Sequence, residues 1–190
     1  MKNLLTAILM TIVTTIMLGL IYPLVVTGLA QVIFPDQANG SLIKRADGTV
    51  IGSRLIGQPF TGDSYFHPRP SAAGAGYDPM SSGGSNLGPT NHLLVDRVAA
   101  DLQKLQAENP GAAVPIDMVT TSASGVDPDI SPAAAQFQIP RVARARKAPQ
   151  EKISALVDGY TTPRQLGVLG EPRVNVLELN RALDAAFPPN

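Results

Sequence analysis

The chain contains no cysteine and no tryptophan, only two histidines, and aromatic residues make up 5% of it. Without thiols it has no disulfide framework and no thiolate metal site. His67 and His92 are too few for most zinc centres, so no metal site is expected. So few aromatic rings argue against a sugar-stacking surface or an aromatic cage. A field of one sign is missing as well: 15 acidic and 15 basic residues cancel, and setting Lys2 aside leaves 14 − 15 = −1 for the rest. Nothing in that balance attracts nucleic acid or anionic lipid. The last absence is local. No charge lies between Lys2 and Asp36.

That uncharged stretch is where the positive content begins. From Leu4 to Leu29 the chain is dominated by Leu, Ile and Val. A bilayer core takes about 20 apolar residues at roughly 1.5 Å of helix rise each, so a span over 7–29 is expected. Thr11, Thr14 and Thr15 can return their hydroxyls to the helix's own carbonyls. Pro23 removes one helix bond and should kink the outer third. A secretory leader has an apolar region of only about 7–15 residues, so a retained anchor is the better reading. Lys2 and the amino terminus precede the run and Asp36 follows it, which sets the terminus in the cytoplasm of an inner membrane and the rest outside. Ala7, Thr11, Thr15 and Gly19 recur every fourth position, a small-residue ridge on which another membrane helix can pack closely.

The expected organisation is thus an anchor over 1–34 and one extracytoplasmic domain over 35–190. The fold class is α+β: the transmembrane helix, then a mixed α/β domain with a small antiparallel sheet and several helices. Ser41–Lys44 and Thr49–Gly52 flank Asp47-Gly48, the dipeptide of a type I′ hairpin, and Ser53–Gly57 is placed to extend that sheet. Residues 58–88 show no apolar periodicity and carry many Gly and Pro, the mark of a functional surface ordered by something else. Thr90 is placed to cap a helix reaching Glu108, with Leu94, Val98, Leu102 and Leu105 as its stripe. Pro115–Thr120 reads as a strand. Ser131-Pro132 starts a helix that Pro140 interrupts, and Arg141, Arg144, Arg146 and Lys147 form a basic patch, either solvated or facing an acidic partner. Further helices are expected over Gln150–Val157 and from Asn175, the latter with Val176, Leu179, Leu183 and Phe187 on one side.

Catalytic signals are weak. Ser122 and Ser124 beside Gly125 would need His67 or His92 as base, and the Gly-x-Ser-x-Gly elbow is absent. The glycine-rich Ser82–Gly88 run lacks the Gly-Lys-Ser/Thr of a phosphate loop. Asp127 and Asp129 are candidates for attracting a cation, with helix capping as the plainer role.

Taken together, a series of motifs is more specific. Gln37-Ala38-Asn39-Gly40-Ser41-Leu42, Leu55-Ile56-Gly57-Gln58, Tyr65-Phe66-His67-Pro68-Arg69-Pro70-Ser71 and Ser82-Gly83-Gly84-Ser85-Asn86-Leu87 follow one another. Thr121-Ser122-Ala123-Ser124-Gly125, Ile139-Pro140-Arg141-Val142-Ala143 and Asn175-Val176-Leu177-Glu178-Leu179-Asn180 complete the order. The series closely resembles the C subunits of the bacterial Kdp-type potassium-transporting ATPases, over nearly the whole chain. The resemblance implies a non-catalytic subunit beside a channel-like potassium-binding subunit, a P-type ATPase subunit and a small single-helix subunit. It implies potassium as the transported ion, no stably bound cofactor, and ATP met only through the complex, where the family is described as a catalytic chaperone raising ATP affinity. Which residues would bind nucleotide is not implied. The motif residues Asn39, Gly40, Ser41, Tyr65, Phe66, His67, Arg69, Ser71, Ser82, Gly83, Gly84, Ser85 and Asn86 become candidate subunit contacts. The alternative is a membrane-tethered periplasmic solute-binding protein or hydrolase, which would require a convergent site.

Overall fold

The fold is described from a computed structural model covering residues 1–188. Its first element is one continuous helix, Lys2–Ile33, of 32 residues. At about 1.5 Å per residue it is roughly 48 Å long, more than the about 30 Å a bilayer core requires. Among the described residues it is the one helix long and apolar enough to cross a membrane. It comprises α1 (Lys2–Ile16), a wide π turn (Met17–Ile21) and α2 (Tyr22–Ile33). The π turn answers Pro23, which has no N–H and whose ring crowds the carbonyl one turn back. The ladder shifts so that Tyr22 N–H reaches the Met17 carbonyl, and the backbone stays helical through the proline. The Thr11 hydroxyl donates to the Ala7 carbonyl at 2.9 Å and that of Thr14 to Met10 at 2.7 Å, so both are satisfied within the helix.

The chain divides into two units, Met1–Ser53 and the chain from Arg54 onward. In the first, residues expected as a loop form one helical turn, α3 (Pro35–Ala38). Gly40 and Ser41 close it with φ of 87° and 48°. The antiparallel pair β1 (Leu42–Lys44) and β2 (Val50–Ser53) follows. Its turn is not type I′. Asp47 lacks positive φ; Gly48 alone has it, at 86°. Gly48 N–H reaches the Arg45 carbonyl and Arg45 N–H that of Thr49, which makes a three-residue loop with the glycine at its bulge. Asp47 instead accepts from Thr49 N–H at 2.8 Å, and that bond holds its carboxyl below the usual value. The sheet ends at Ser53, so Ser53–Gly57 does not extend it.

The second unit has its core on three helices and a small sheet. α5 (Pro132–Arg146) packs on α6 (Gln150–Gly159), and α6 on α7 (Val176–Ala186). Val176, Leu179 and Leu183 recur at helical spacing on α7 and are buried with Ile153, Val157, Val142, Phe137 and Ile139. The sheet runs β3 (Asp129–Ile130), β5 (Arg173–Asn175), β4 (Thr161–Thr162), all antiparallel, and contributes Ile130 and Val174 to that core. These two- and three-residue strands are too short to show alternation, and the sequence reading missed them. Both predicted caps form: Ala134 N–H reaches the Ser131 hydroxyl at 3.0 Å and Glu178 N–H reaches Asn175 Oδ1 at 3.1 Å.

Several expectations fail for identifiable reasons. Helix α4 (His92–Glu108) is capped by Asn91, not Thr90, with Leu93 N–H on Asn91 Oδ1 at 2.9 Å. Pro115–Thr120 is not a strand but a 3-10 turn, Ile116–Met118. Ile116 is exposed while Met118 and Val119 are both buried, a pattern without strand alternation. Asp117 in this turn accepts from Ser131 N–H at 2.8 Å, bonding it to the start of α5. Pro140 does not break α5. The carbonyl it deprives of a partner belongs to Gln136, on the helix's exposed side, where water can satisfy it. The basic patch is not a patch either, because Arg141 and Arg146 are buried.

Candidate functional site

Residues 58–88, which carry ten of the thirteen candidate contact residues, are ordered by this chain's own buried polar side chains. Their peptide groups have few partners in regular structure, so amides and guanidinium groups supply them. Asn180 on α7 brackets Phe66: its Oδ1 accepts from Phe66 N–H at 2.8 Å and its Nδ2 donates to the Phe66 carbonyl at 2.9 Å. Gln138 on α5 does the same for His67, at 2.7 and 3.0 Å. The two side chains thereby imitate an edge strand, and Phe66 is driven fully into the core.

The two buried arginines complete this clamp. Arg141 donates to the carbonyls of Gly62, Asp63 and Tyr65 at 3.3, 2.9 and 2.9 Å, and to Gln138 Oε1 at 2.6 Å. Its charge is met by Glu108 at 2.6 Å. Arg146 holds the Ser64 and Phe187 carbonyls and the Asp184 carboxylate, each at 2.7 Å, and lies 4.7 Å from the Tyr65 ring centre. Inward-facing arginines look like a basic surface in a sequence. The readable signal is that they flank apolar Val142 and Ala143 on a helix otherwise poor in charge.

His67 Nε2 lies 2.9 Å from the Gly62 carbonyl, so that nitrogen carries the proton and donates. Burial, with the Arg141 charge beside it, holds its pKa below the ordinary 6.5. Because the folded value is depressed, the unfolded chain binds the extra proton first as pH falls. Stability should therefore drop as pH falls through about 6.5 and level off below the folded value. His67→Gln should flatten that part of the curve. Urea midpoints of the full chain measured between about pH 8 and pH 5 check it; parallel curves for the two proteins would dismiss the assignment.

A second layer of motif residues gathers on the 121–129 loop. Ser82 hydroxyl and Gly83 N–H both donate to the Ser124 carbonyl at 2.9 Å. The Ser71 hydroxyl donates to the Gly125 carbonyl and accepts from Tyr77 N–H at 2.8 Å. Tyr77 hydroxyl donates to the Arg69 carbonyl, and burial raises its pKa to about 12. Gly57 N–H reaches the Val126 carbonyl at 2.7 Å. Gly125, at φ 68°, is the crossing point: an added Cβ would stand 2.6 Å from Ala73 Cβ and 2.7 Å from the Gly83 carbonyl oxygen. Gly84 passes close to Ala123, while Ser85 is half-buried and Asn86 is exposed with φ 53°. Asn39, Gly40 and Ser41 belong to the first unit, where Ser53 hydroxyl donates to the Gly40 carbonyl at 2.7 Å and Asn39 Nδ2 to that of Pro35 at 2.6 Å.

The chemistry of this arrangement is structural. The Ser122 and Ser124 hydroxyls accept from Gly125 and Val126 N–H in their own loop, at 2.9 and 3.2 Å. Since Gly83 N–H is bonded to Ser124, the glycine run does not present that group to a phosphate. Asp127 and Asp129 line an open groove of about 560 Å³. Arg69 meets Asp127 at 3.2 Å and Arg173 meets Asp129 at 3.0 Å, which offsets their charge. Burial raises the Asp129 pKa despite Arg173. Asp127 Oδ1 accepts from Asp129 N–H at 3.0 Å rather than capping a helix. Among the described residues no group of three or more His, Cys, Asp or Glu could hold a metal ion.

Comparison with known proteins matches residues 4–185 to the KdpC family, K+-transporting ATPase, c chain. The chain is similar to the Potassium-transporting ATPase KdpC subunit of Koribacter versatilis, 61% identical, with 98% of this chain and 96% of that one covered. It is similar also to that of Rhodospirillum rubrum, 58% identical over 99% of this chain and 98% of the relative. A third relative, from Myxococcus xanthus, is 58% identical over 97% and 89%.

Proposed function

Because the chain belongs to the KdpC family, the c chains of K+-transporting ATPases, we propose that it is a non-catalytic accessory subunit of such a pump. Its helix anchors the chain in the inner membrane with the amino terminus cytoplasmic. Everything after it lies on the periplasmic side. There the domain caps the external potassium entrance and steadies the channel-like subunit, while the P-type ATPase subunit does the chemistry and a small single-helix subunit completes the set. Ala7, Thr11, Thr15 and Gly19 give the anchor a ridge on which partner helices pack.

One observation carries this reading above the others. The motif residues of the second unit, which in an enzyme would converge on a substrate, bond to one another's main chain and build a fixed surface. A tethered hydrolase or solute-binding protein is disfavoured by the same fact. In this topology the chain cannot touch ATP bound on the cytoplasmic side. The rise in nucleotide affinity ascribed to the family then reaches the ATPase subunit as a coupling free energy carried through membrane helices. Asp127 and Asp129, near the surface, bias cations toward the entrance only weakly, since each has an arginine partner.

The chain has no cysteine, so one introduced at exposed Thr90 reports alone. Intact potassium-starved cells carrying a tagged Thr90→Cys chain are treated with a membrane-impermeant maleimide and then solubilised. Labelled chain should emerge together with the other pump subunits. Labelling that needs prior lysis would overturn the topology, and purification without those subunits would overturn the accessory role.

A further inference from the structure

Between β4 and β5 the chain leaves the sheet and returns as a hairpin finger over residues 163–172, whose tip faces solvent. Gln165 and Leu169 exchange both main-chain hydrogen bonds at 2.9 Å, closing a loop of Leu166, Gly167 and Val168. The finger is rooted in the β4–β5 ladder, and an Arg164–Glu171 ion pair at 2.6 Å fastens its base. Its tip breaks two habits of soluble surfaces at once. Leu166, Val168 and Leu169 are 90%, 73% and 56% exposed, three large aliphatics within four residues. Leu166 also sits at φ 53°, a left-handed conformation that turns normally give to Gly, Asn or Asp. No other described residue covers the tip, and backbone strain and exposed apolar clusters both concentrate at binding features.

We infer that this finger is a docking element that inserts Leu166 and Val168 into an apolar socket on the external face of another subunit of the same pump. The inference rests on the accessory-subunit reading above. A bilayer is the poorer occupant: the tip has no Trp or Tyr, and its one cation, Arg164, is spent on Glu171, so neither interfacial anchor is present. A fluid lipid surface also makes no use of a loop held in one strained shape, whereas a protein socket does. The neutral base suits a partner recognised by shape and apolar contact, not by charge.

The test uses the full chain in its complex. Leu166→Asn keeps a residue that tolerates the left-handed region and removes the apolar side chain. The melting midpoint of the variant should be unchanged or higher than that of wild type, while its co-purification with the other pump subunits falls at least tenfold. A photo-crosslinking residue at position 168 should join the chain to another pump subunit. Undiminished co-purification of Leu166→Asn, or a crosslink confined to lipid or to a second copy of this chain, overturns the finger's role. The wild-type control separates the two proposals. If wild type itself does not co-purify, the accessory reading falls and the finger with it; if wild type and variant both do, only the finger falls.

Discussion

Replacing Arg141 with alanine should cost the second unit about 3–5 kcal/mol, the range for breaking a buried ion pair by removing one partner. At about 3–5 °C per kcal/mol for a unit of this size, the unfolding midpoint should fall by roughly 10–25 °C. The substitution leaves the carbonyls of Gly62, Asp63 and Tyr65, the Gln138 amide oxygen and the Glu108 carboxylate without their shared donor. The Gly62 carbonyl and Gln138 Oε1 keep a bond from His67, but the Tyr65 carbonyl and the Glu108 carboxylate lose their guanidinium partner together, so the loss exceeds that of any one bond. Arg141→Lys should recover only part of it, since an ammonium cannot reach carbonyls and carboxylate in one plane. Thermal unfolding of the full chain in detergent, followed by circular dichroism, measures both. A shift for Arg141→Ala of only a few degrees would show that the clamp is decorative. Because the same guanidinium fixes residues 62–65, pump assembly should fail near the temperature at which the clamp lets go.

Gly125→Ala is expected to be the most damaging single methyl group in the second unit. A left-handed alanine costs about 1–2 kcal/mol, and forcing the methyl into an occupied site adds about 1–3 kcal/mol. The new carbon would stand inside contact distance of Ala73 and Gly83, so the 73, 83 and 125 segments cannot all keep their places. Gly111→Ala is the matched control. Gly111 has φ 84° with open space around it, so only the same backbone term applies, about 1–2 kcal/mol. Denaturant midpoints for the two variants should differ by the packing cost alone. Equal midpoints would mean that the loop junction shifts freely and that the motif surface is not rigid. The variant should also lose partner subunits on purification at temperatures where it remains folded, because the crossing loops carry the motif face.

Both experiments address the part of the chain that sequence patterns describe least well. Helices α4 and α7 were legible because their apolar residues repeat at helical spacing, α6 from Ala148-Pro149 before it and Asp158-Gly159 at its end, and Ser131-Pro132 and Asn175 announce helix starts by cap chemistry. Helix α5 was half legible. Pro140 suggested a break, and only its position on the helix, with the orphaned carbonyl facing water, explains why none occurs. The hairpin at Asp47-Gly48 was placed correctly but given the wrong turn, since the dipeptide alone does not say which of its residues takes positive φ. The strand expected at Pro115–Thr120 rested on β-prone residue types, and tertiary demand for Asp117 beside Ser131 outweighed that preference.

By itself the sequence determined a first helix long and apolar enough to cross a membrane, because the 33 residues between Lys2 and Asp36 carry no charge. It also determined the family, because long motifs in fixed order are specific without any geometry. What only the tertiary structure decided is the office of those motifs. Arg141 and Arg146 read as part of a basic patch, and no pattern marks Gln138 or Asn180 as interior, yet all four are buried and serve as main-chain partners for a segment lacking regular structure. That pairing joins positions more than 70 residues apart, as between Gln138 and His67 or Asn180 and Phe66. Spacing in a sequence reports local periodicity, whereas a hydrogen bond across such a distance exists only once the core has closed around it.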